Sequence, residues 1–166
     1  MYASCERLSY KGREKGFVFI PIRRQFVVEV SASAAWQHLA QISRWPTWAK
    51  HIRRIELFPE GEITQRSSGT IHLRNGVRST FHMTEFNPGR NWKWIGPFLW
   101  LTVHYDHRFE PIDDAHTKLT WIVGLTGFGA TIIGRIFAKV YERNLDRVIP
   151  HLIRELNGKK QTNIGR

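Results

Sequence analysis

The chain has 166 residues, 42% of them hydrophobic and 23% charged, the size and balance of one globular domain rather than a disordered segment. Lys and Arg number 25 against 14 Asp and Glu, a net charge of +11, which favours anionic partners: nucleic acid, acidic lipid headgroups or acidic ligands. A single cysteine, Cys5, excludes an internal disulfide framework and a multi-cysteine metal centre, and no apolar run has the length of a membrane span or a signal peptide, so a cytoplasmic location is expected.

Residues 1–24 are polar and basic and read as an extension outside the folded domain, with room for one short strand. Phe26 to Ser31 alternates apolar and polar on a β-branched background and predicts a strand. Ser31 or Ser33 then suits a helix N-cap, and Trp36, Leu39 and Ala40 give residues 33–42 an apolar face. Ser43 caps a second short helix with Pro46 in its first turn and Trp45, Trp48 and Ile52 at helical spacing. A run of strands follows: Ile52–Phe58, Thr70–Arg74, Val77–Phe86, Trp92–Ile95, Leu99–Glu110 and Lys118–Leu125. The turns between them carry Pro59 and Gly61, Asn75-Gly76, Asn87-Pro88-Gly89, Gly96-Pro97 and Pro111 to Asp114, so the strands form an antiparallel meander. Phe128 to Leu156 is one long amphipathic helix that Pro150 should kink and that Gly158, Lys159 and Lys160 should end, leaving 158–166 as a tail.

Side chains alternate faces along a strand. Ile71 and Leu73 on one strand, and Phe81, Met83 and Glu85 on the next, fall on the more apolar face and are expected inside. So are Trp92 and Trp94, then Trp121 and Val123. On 99–110 the set Leu101, Val103, Tyr105, His107 and Phe109 is more apolar than Trp100, Thr102, His104, Asp106 and Arg108, and points inward unless a bulge shifts the register. Ile133, Phe137 and Tyr141 of the long helix close this interior.

The order of elements, with Ser33-Ala34-Ala35-Trp36, Trp45-Pro46-Thr47-Trp48, Met83-Thr84-Glu85-Phe86-Asn87-Pro88, Phe109-Glu110-Pro111, Thr117-Lys118-Leu119 and Gly127 before the long helix, resembles the START-like superfamily, also called SRPBCC or helix-grip, over residues 25–157. The likeness is strongest to its polyketide cyclase/dehydrase and lipid-transport group. It implies an α+β helix-grip fold: a curved antiparallel sheet of six to seven strands around the carboxy-terminal helix, with two short helices after the first strand. It also implies a hollow between sheet and helix for a hydrophobic or amphipathic molecule.

Three roles follow, two of them in that interior. In a carrier or binding protein the apolar walls hold a lipid, polyketide or aromatic compound, and Glu85, Tyr105 and His107 orient its polar end. In a polyketide cyclase/dehydratase His107 acts as general base and Tyr105 as proton donor. In an accessory module the basic face of the last helix (Arg135, Lys139, Arg143, Arg147 and Arg154) docks on an anionic membrane. Nucleic-acid binding is disfavoured, because the aromatics fall on inner faces rather than among the basic residues. No cofactor is implied and no metal site is expected: the eight histidines show no tight ligand spacing, Gly124, Gly127 and Gly129 match no phosphate loop, and His104 with Asp106 belongs to a solvated face. The sequence sets no oligomeric state.

Overall fold

The computed structural model describes residues 19–163, with side chains from Ile22 to Gly158. The extension up to residue 18, Cys5 included, residues 164–166, and the side chains of Lys159 and Lys160 lie outside the described residues.

Seven strands form one antiparallel sheet in the order β1-β7-β6-β5-β4-β3-β2. They are β1 (Phe19–Val28), β2 (Ile52–Phe58), β3 (Ser68–Leu73), β4 (Arg78–Asn87), β5 (Asn91–Phe98), β6 (Leu101–Pro111) and β7 (Thr117–Thr126). Between β1 and β2 lie α1 (Ala32–Ala40) and a 3-10 turn (Ile42–Thr47), and α2 (Ala130–Asn163) closes the chain. This is the helix-grip fold, a curved sheet with one long helix against its inner face.

The hairpins form where their turn residues allow them. Gly76 takes φ +88° in the β3–β4 turn, a conformation open to glycine. The chain enters α2 through Gly127 at φ +122°, where an added Cβ would come within 2.9 Å of Leu101 Cδ2. At the other helix, Ser31 caps α1, its Oγ accepting from the Ala34 N–H at 3.3 Å.

Five local expectations need correction. The first strand begins at Phe19, not Phe26. Its alternation is hidden in the sequence because Arg24 shares the inner face with Ile22 and Phe26 and reaches α2, where it pairs with Glu142 at 3.1 Å. The second short helix is a 3-10 turn without a side-chain cap, running from Ile42 through Pro46. The Gly96-Pro97 turn is absent: β5 continues to Phe98, and the chain turns at Leu99, φ +56°. Pairing of β5 with β4 stops at Ile95, so the missing N–H of Pro97 interrupts no β4–β5 pair. The last helix spans 34 residues, roughly 51 Å at 1.5 Å per residue, and passes both Pro150 and Gly158. A helix glycine costs only about 1 kcal/mol against alanine, too little to stop a helix whose preceding turn is packed.

The fifth correction moves a site residue. On β4, Met83 pairs with Trp94 but Glu85 pairs with Lys93, so one extra residue, Thr84, is bulged out of the ladder. Every later β4 side chain changes face. Phe86 turns inward, where its ring lies 5.5 Å from that of Trp36. Glu85 turns outward, bonded to Lys93 Nζ at 2.6 Å, Asn91 Nδ2 at 2.7 Å and Asn87 Nδ2 at 3.0 Å. Those bonds, Asn91 first and Lys93 second, hold its carboxyl below the usual glutamate range. Glu85 belongs to an outer-face network and is not a ligand-orienting group of the interior.

Candidate functional site

Cross-strand registers set the inner face as rows. One row runs Phe86, Trp92, His107, Trp121 and Arg24 across β4, β5, β6, β7 and β1. The next runs Met83, Trp94, Tyr105, Val123 and Ile22. The β6 ladders to β5 and β7 carry no register shift, so the odd-numbered set of that strand points inward as expected.

His107 stands at the centre of an aromatic box. Its ring centroid is 4.9 Å from Trp94, 5.2 Å from Trp92 (stacked), 5.7 Å from Trp121 and 5.9 Å from Trp45. Trp48 completes the wall, 5.3 Å from Trp45 and 6.2 Å from Trp121. Trp45 is held there by its own Nε1–H, which donates to the Leu39 carbonyl at 2.9 Å. Three of the others are not so provided: among the described residues buried Trp48 Nε1, Trp92 Nε1 and Trp121 Nε1 have no hydrogen-bond partner, and neither does His107 Nδ1. Each such group costs about 1–3 kcal/mol when nothing satisfies it.

The box dictates the protonation of His107. Burial pulls the imidazole from 6.5 to about 3. The ring is therefore neutral near pH 7, a hydrogen-bonding group rather than a cation. Tyr105 lies one row away, its ring 6.1 Å from that of Tyr141 on α2. Burial, and then the neighbouring Tyr141, raise Tyr105 well above the ordinary phenol value, and burial raises Tyr141 likewise. Both stay protonated donors.

The two halves of α2 pack differently. In the carboxy-terminal half Leu145, Val148, Leu152 and Leu156 are buried, and α2 packs chiefly against β1. Polar links pin that half: Glu142 to Arg24, Asn157 Oδ1 accepting from the Glu29 N–H at 2.9 Å, and Glu155 accepting from Thr47 Oγ1 at 2.9 Å. In the amino-terminal half the buried positions are the small residues Ala130, Gly134 and Ala138, and the row Ile133, Phe137 and Tyr141 beside them is only half-buried. It meets the sheet through ring contacts, Phe137 with Phe98 at 4.9 Å and Tyr141 with Tyr105. Tyr105 and Phe98 are half-buried too.

The residues expected to line the interior thus divide. Trp92, Leu101, Val103 and Val123, each 2% exposed or less, fill the core floor. Phe81, Met83, Trp94 and Trp121 are buried around the box, and Tyr105, Ile133, Phe137 and Tyr141 form its half-open side, while Ile71 and Leu73 are half-buried on the β3 side of the sheet. Sequence reasoning missed Trp45, Trp48 and Phe98 as parts of this interior. Phe98 has the parity of Trp92 and Trp94, a signal obscured by reading Gly96-Pro97 as a turn. On the outer face His104 Nε2 lies 2.9 Å from Thr126 Oγ1 and Asp106 holds Arg108 at 2.8 Å.

Comparison with known proteins agrees with this architecture. No curated protein sequence gives a significant match. Solved structures similar to the chain include a START superfamily protein from Mycobacterium smegmatis (9% identity, TM-score 0.65, covering 81% of this chain and 95% of that one). Another is an aromatase/cyclase from Streptomyces sp. R1128 (15% identity, TM-score 0.62, covering 89% and 96%). A third is a hypothetical protein from Helicobacter pylori (12% identity, TM-score 0.69, covering 94% and 99%). At these identities the likeness is one of fold. The model of the family described as polyketide cyclase/dehydrase and lipid transport matches residues 20–152, and the chain belongs to that family.

Proposed function

We propose that the chain binds an amphipathic small molecule, with an aromatic or polycyclic body and an oxygen-bearing end, between the sheet and the amino-terminal half of α2, as a carrier or binding protein. The observation that carries this is the set of buried nitrogens in the aromatic box that have no partner among the described residues: Trp48, Trp92 and Trp121 Nε1 and His107 Nδ1. Indole N–H groups only donate, so they call for an acceptor, as a ligand carbonyl, phenol or carboxyl oxygen provides. The half-buried aromatic row of Phe98, Tyr105, Phe137 and Tyr141 supplies the apolar wall for the body.

Catalysis of the cyclase/dehydratase type has one supporting feature: Tyr105 and Tyr141, protonated and close together, suit polarising a ligand carbonyl. Its base is the weak point. A conjugate acid near pH 3 makes His107 a poor general base at neutral pH, since proton transfer is most efficient when the pKa is near the working pH.

The test is a thermal-shift screen of the full chain against polycyclic phenols, fatty acids and polycyclic hydrocarbons lacking oxygen. Polycyclic phenols should raise Tm most. The variant Ile133→Trp, which fills the half-open side from an incompletely packed position, should abolish the shift while keeping its own melting transition. Absence of any shift from all three classes would refute the reading.

A further inference from the structure

The outer side of the same helix segment carries a feature that ligand binding does not use. Phe128, just ahead of α2, and Ile132, Ile136 and Val140 follow one another at four-residue steps and are 93%, 71%, 64% and 59% exposed. Such steps make one ridge along a helix. Beside it the β5–β6 turn raises Leu99 and Trp100, 68% and 64% exposed. Trp100 Nε1 donates to the Phe128 carbonyl at 3.0 Å, so turn and helix start form one surface. A contiguous apolar patch of this kind marks an interaction site on a soluble domain.

Its surroundings select the partner. Arg135, Lys139 and Arg143, all exposed, lie three residues beyond Ile132, Ile136 and Val140 and form a basic row alongside the ridge. No acidic residue occurs from Phe128 to Tyr141, and the first that follows, Glu142, is engaged by Arg24. A second copy of the chain on this face would bring two such basic rows together, each on a molecule of net charge +11. An anionic bilayer matches both rows: acyl chains take the apolar side chains and Trp100, and lipid phosphates take the cations.

We propose that the ridge of Phe128, Ile132, Ile136 and Val140, with Leu99 and Trp100, docks on an anionic lipid bilayer, with Arg135, Lys139 and Arg143 at the phosphates. The half-buried row Ile133, Phe137 and Tyr141 is one position round the helix, so docking sets the open side of the interior next to the bilayer. The docking surface stands on its own exposed residues and is independent of whether the interior binds a ligand.

The experiment is co-sedimentation of the full chain with vesicles of phosphatidylcholine containing about 30% phosphatidylglycerol, and with vesicles of phosphatidylcholine alone. The protein should pellet with the anionic vesicles and remain in solution with the neutral ones. Ile132→Gln/Ile136→Gln, changed at exposed positions, should weaken anionic-vesicle binding at least ~tenfold with Tm unchanged. Lys139→Gln should weaken it roughly fivefold. Both variants should keep any ligand-induced Tm shift, which separates failure of docking from failure of ligand binding. No binding of the wild-type chain to anionic vesicles would overturn the proposal. So would binding equal to wild type in the double isoleucine variant, or a wild-type dimer that the same variant turns into a monomer in sedimentation velocity.

Discussion

Burial of His107 in four indoles makes the fold acid-sensitive in a calculable way. The unfolded chain takes up a proton at this residue near 6.5, but the folded chain resists it down to about 3. The folded value is depressed, and for a histidine this means the neutral form is favoured in the native state. Its contribution is therefore fully present above about pH 6.5 and is lost as pH falls toward 3. At pH 5 the gap from 6.5 is 1.5 units, which at 1.36 kcal/mol per unit is about 2 kcal/mol lost relative to pH 7. For a domain of this size that is roughly 4–8 °C in Tm. The perturbation is His107→Phe, which keeps an aromatic ring in the box and removes the titrating group. Its baseline stability differs from wild type, so the quantity to compare is the drop from pH 7 to pH 5 within each protein, from urea unfolding. His51, which burial also lowers, titrates in both and cancels. Wild type should lose about 2 kcal/mol more than His107→Phe over this interval. Equal losses would refute the claim that the box holds His107 neutral, and would restore it as a group able to cycle protons near neutral pH.

Other consequences follow from the same geometry. Leu152→Ala, at a position with no exposed surface, should cost about 2–5 kcal/mol in chemical denaturation, whereas Phe137→Ala, at a half-buried one, should cost less and should weaken polycyclic-phenol binding. Hydrogen exchange should show the same asymmetry: amides of 131–141 should exchange faster than those of 145–156, and ligand should slow the first group alone. Glu85→Gln should lower stability by less than about 1 kcal/mol and leave the ligand-induced Tm shift unchanged, since the carboxylate lies on the outer face; loss of the shift would contradict the assignment of the bulge. Ser31→Ala should cost about 1 kcal/mol through loss of the α1 cap, measured by thermal or urea unfolding.

The order of elements was legible in the sequence because each device that sets it is local. Asn75-Gly76 specifies its own hairpin, and Ser31 its own helix start. The inward parity of Tyr105, His107 and Phe109 was legible for the same reason, as an uninterrupted alternation along β6. What was not legible depends on events at a partner strand. The bulge at Thr84 leaves no mark of its own in Met83-Thr84-Glu85-Phe86, yet it moves Glu85 to the outer face and Phe86 to the inner one. Arg24 hid the first strand because its inward direction is compensated by Glu142, 118 positions further along the chain. The aromatic box was recognisable only in part. Alternation places Trp92, Trp94, His107 and Trp121 inside, but only the register shows that His107 sits directly between Trp92 and Trp121. Trp45 and Trp48 close that box from a 3-10 turn whose path over the sheet no periodicity encodes. The exposure of the 128–140 ridge was likewise hidden, because helical periodicity shows an apolar stripe without showing how much of it the sheet covers.

The most direct test of ligand binding in the interior is native mass spectrometry of the purified full chain, followed by organic extraction and a second spectrum of the extract. The expected result is an adduct that denaturation releases, with an apolar body and at least one oxygen acceptor, and its loss from the Ile133→Trp variant. A bare chain mass together with no Tm response to polycyclic phenols, or an adduct equally retained by Ile133→Trp, would contradict it.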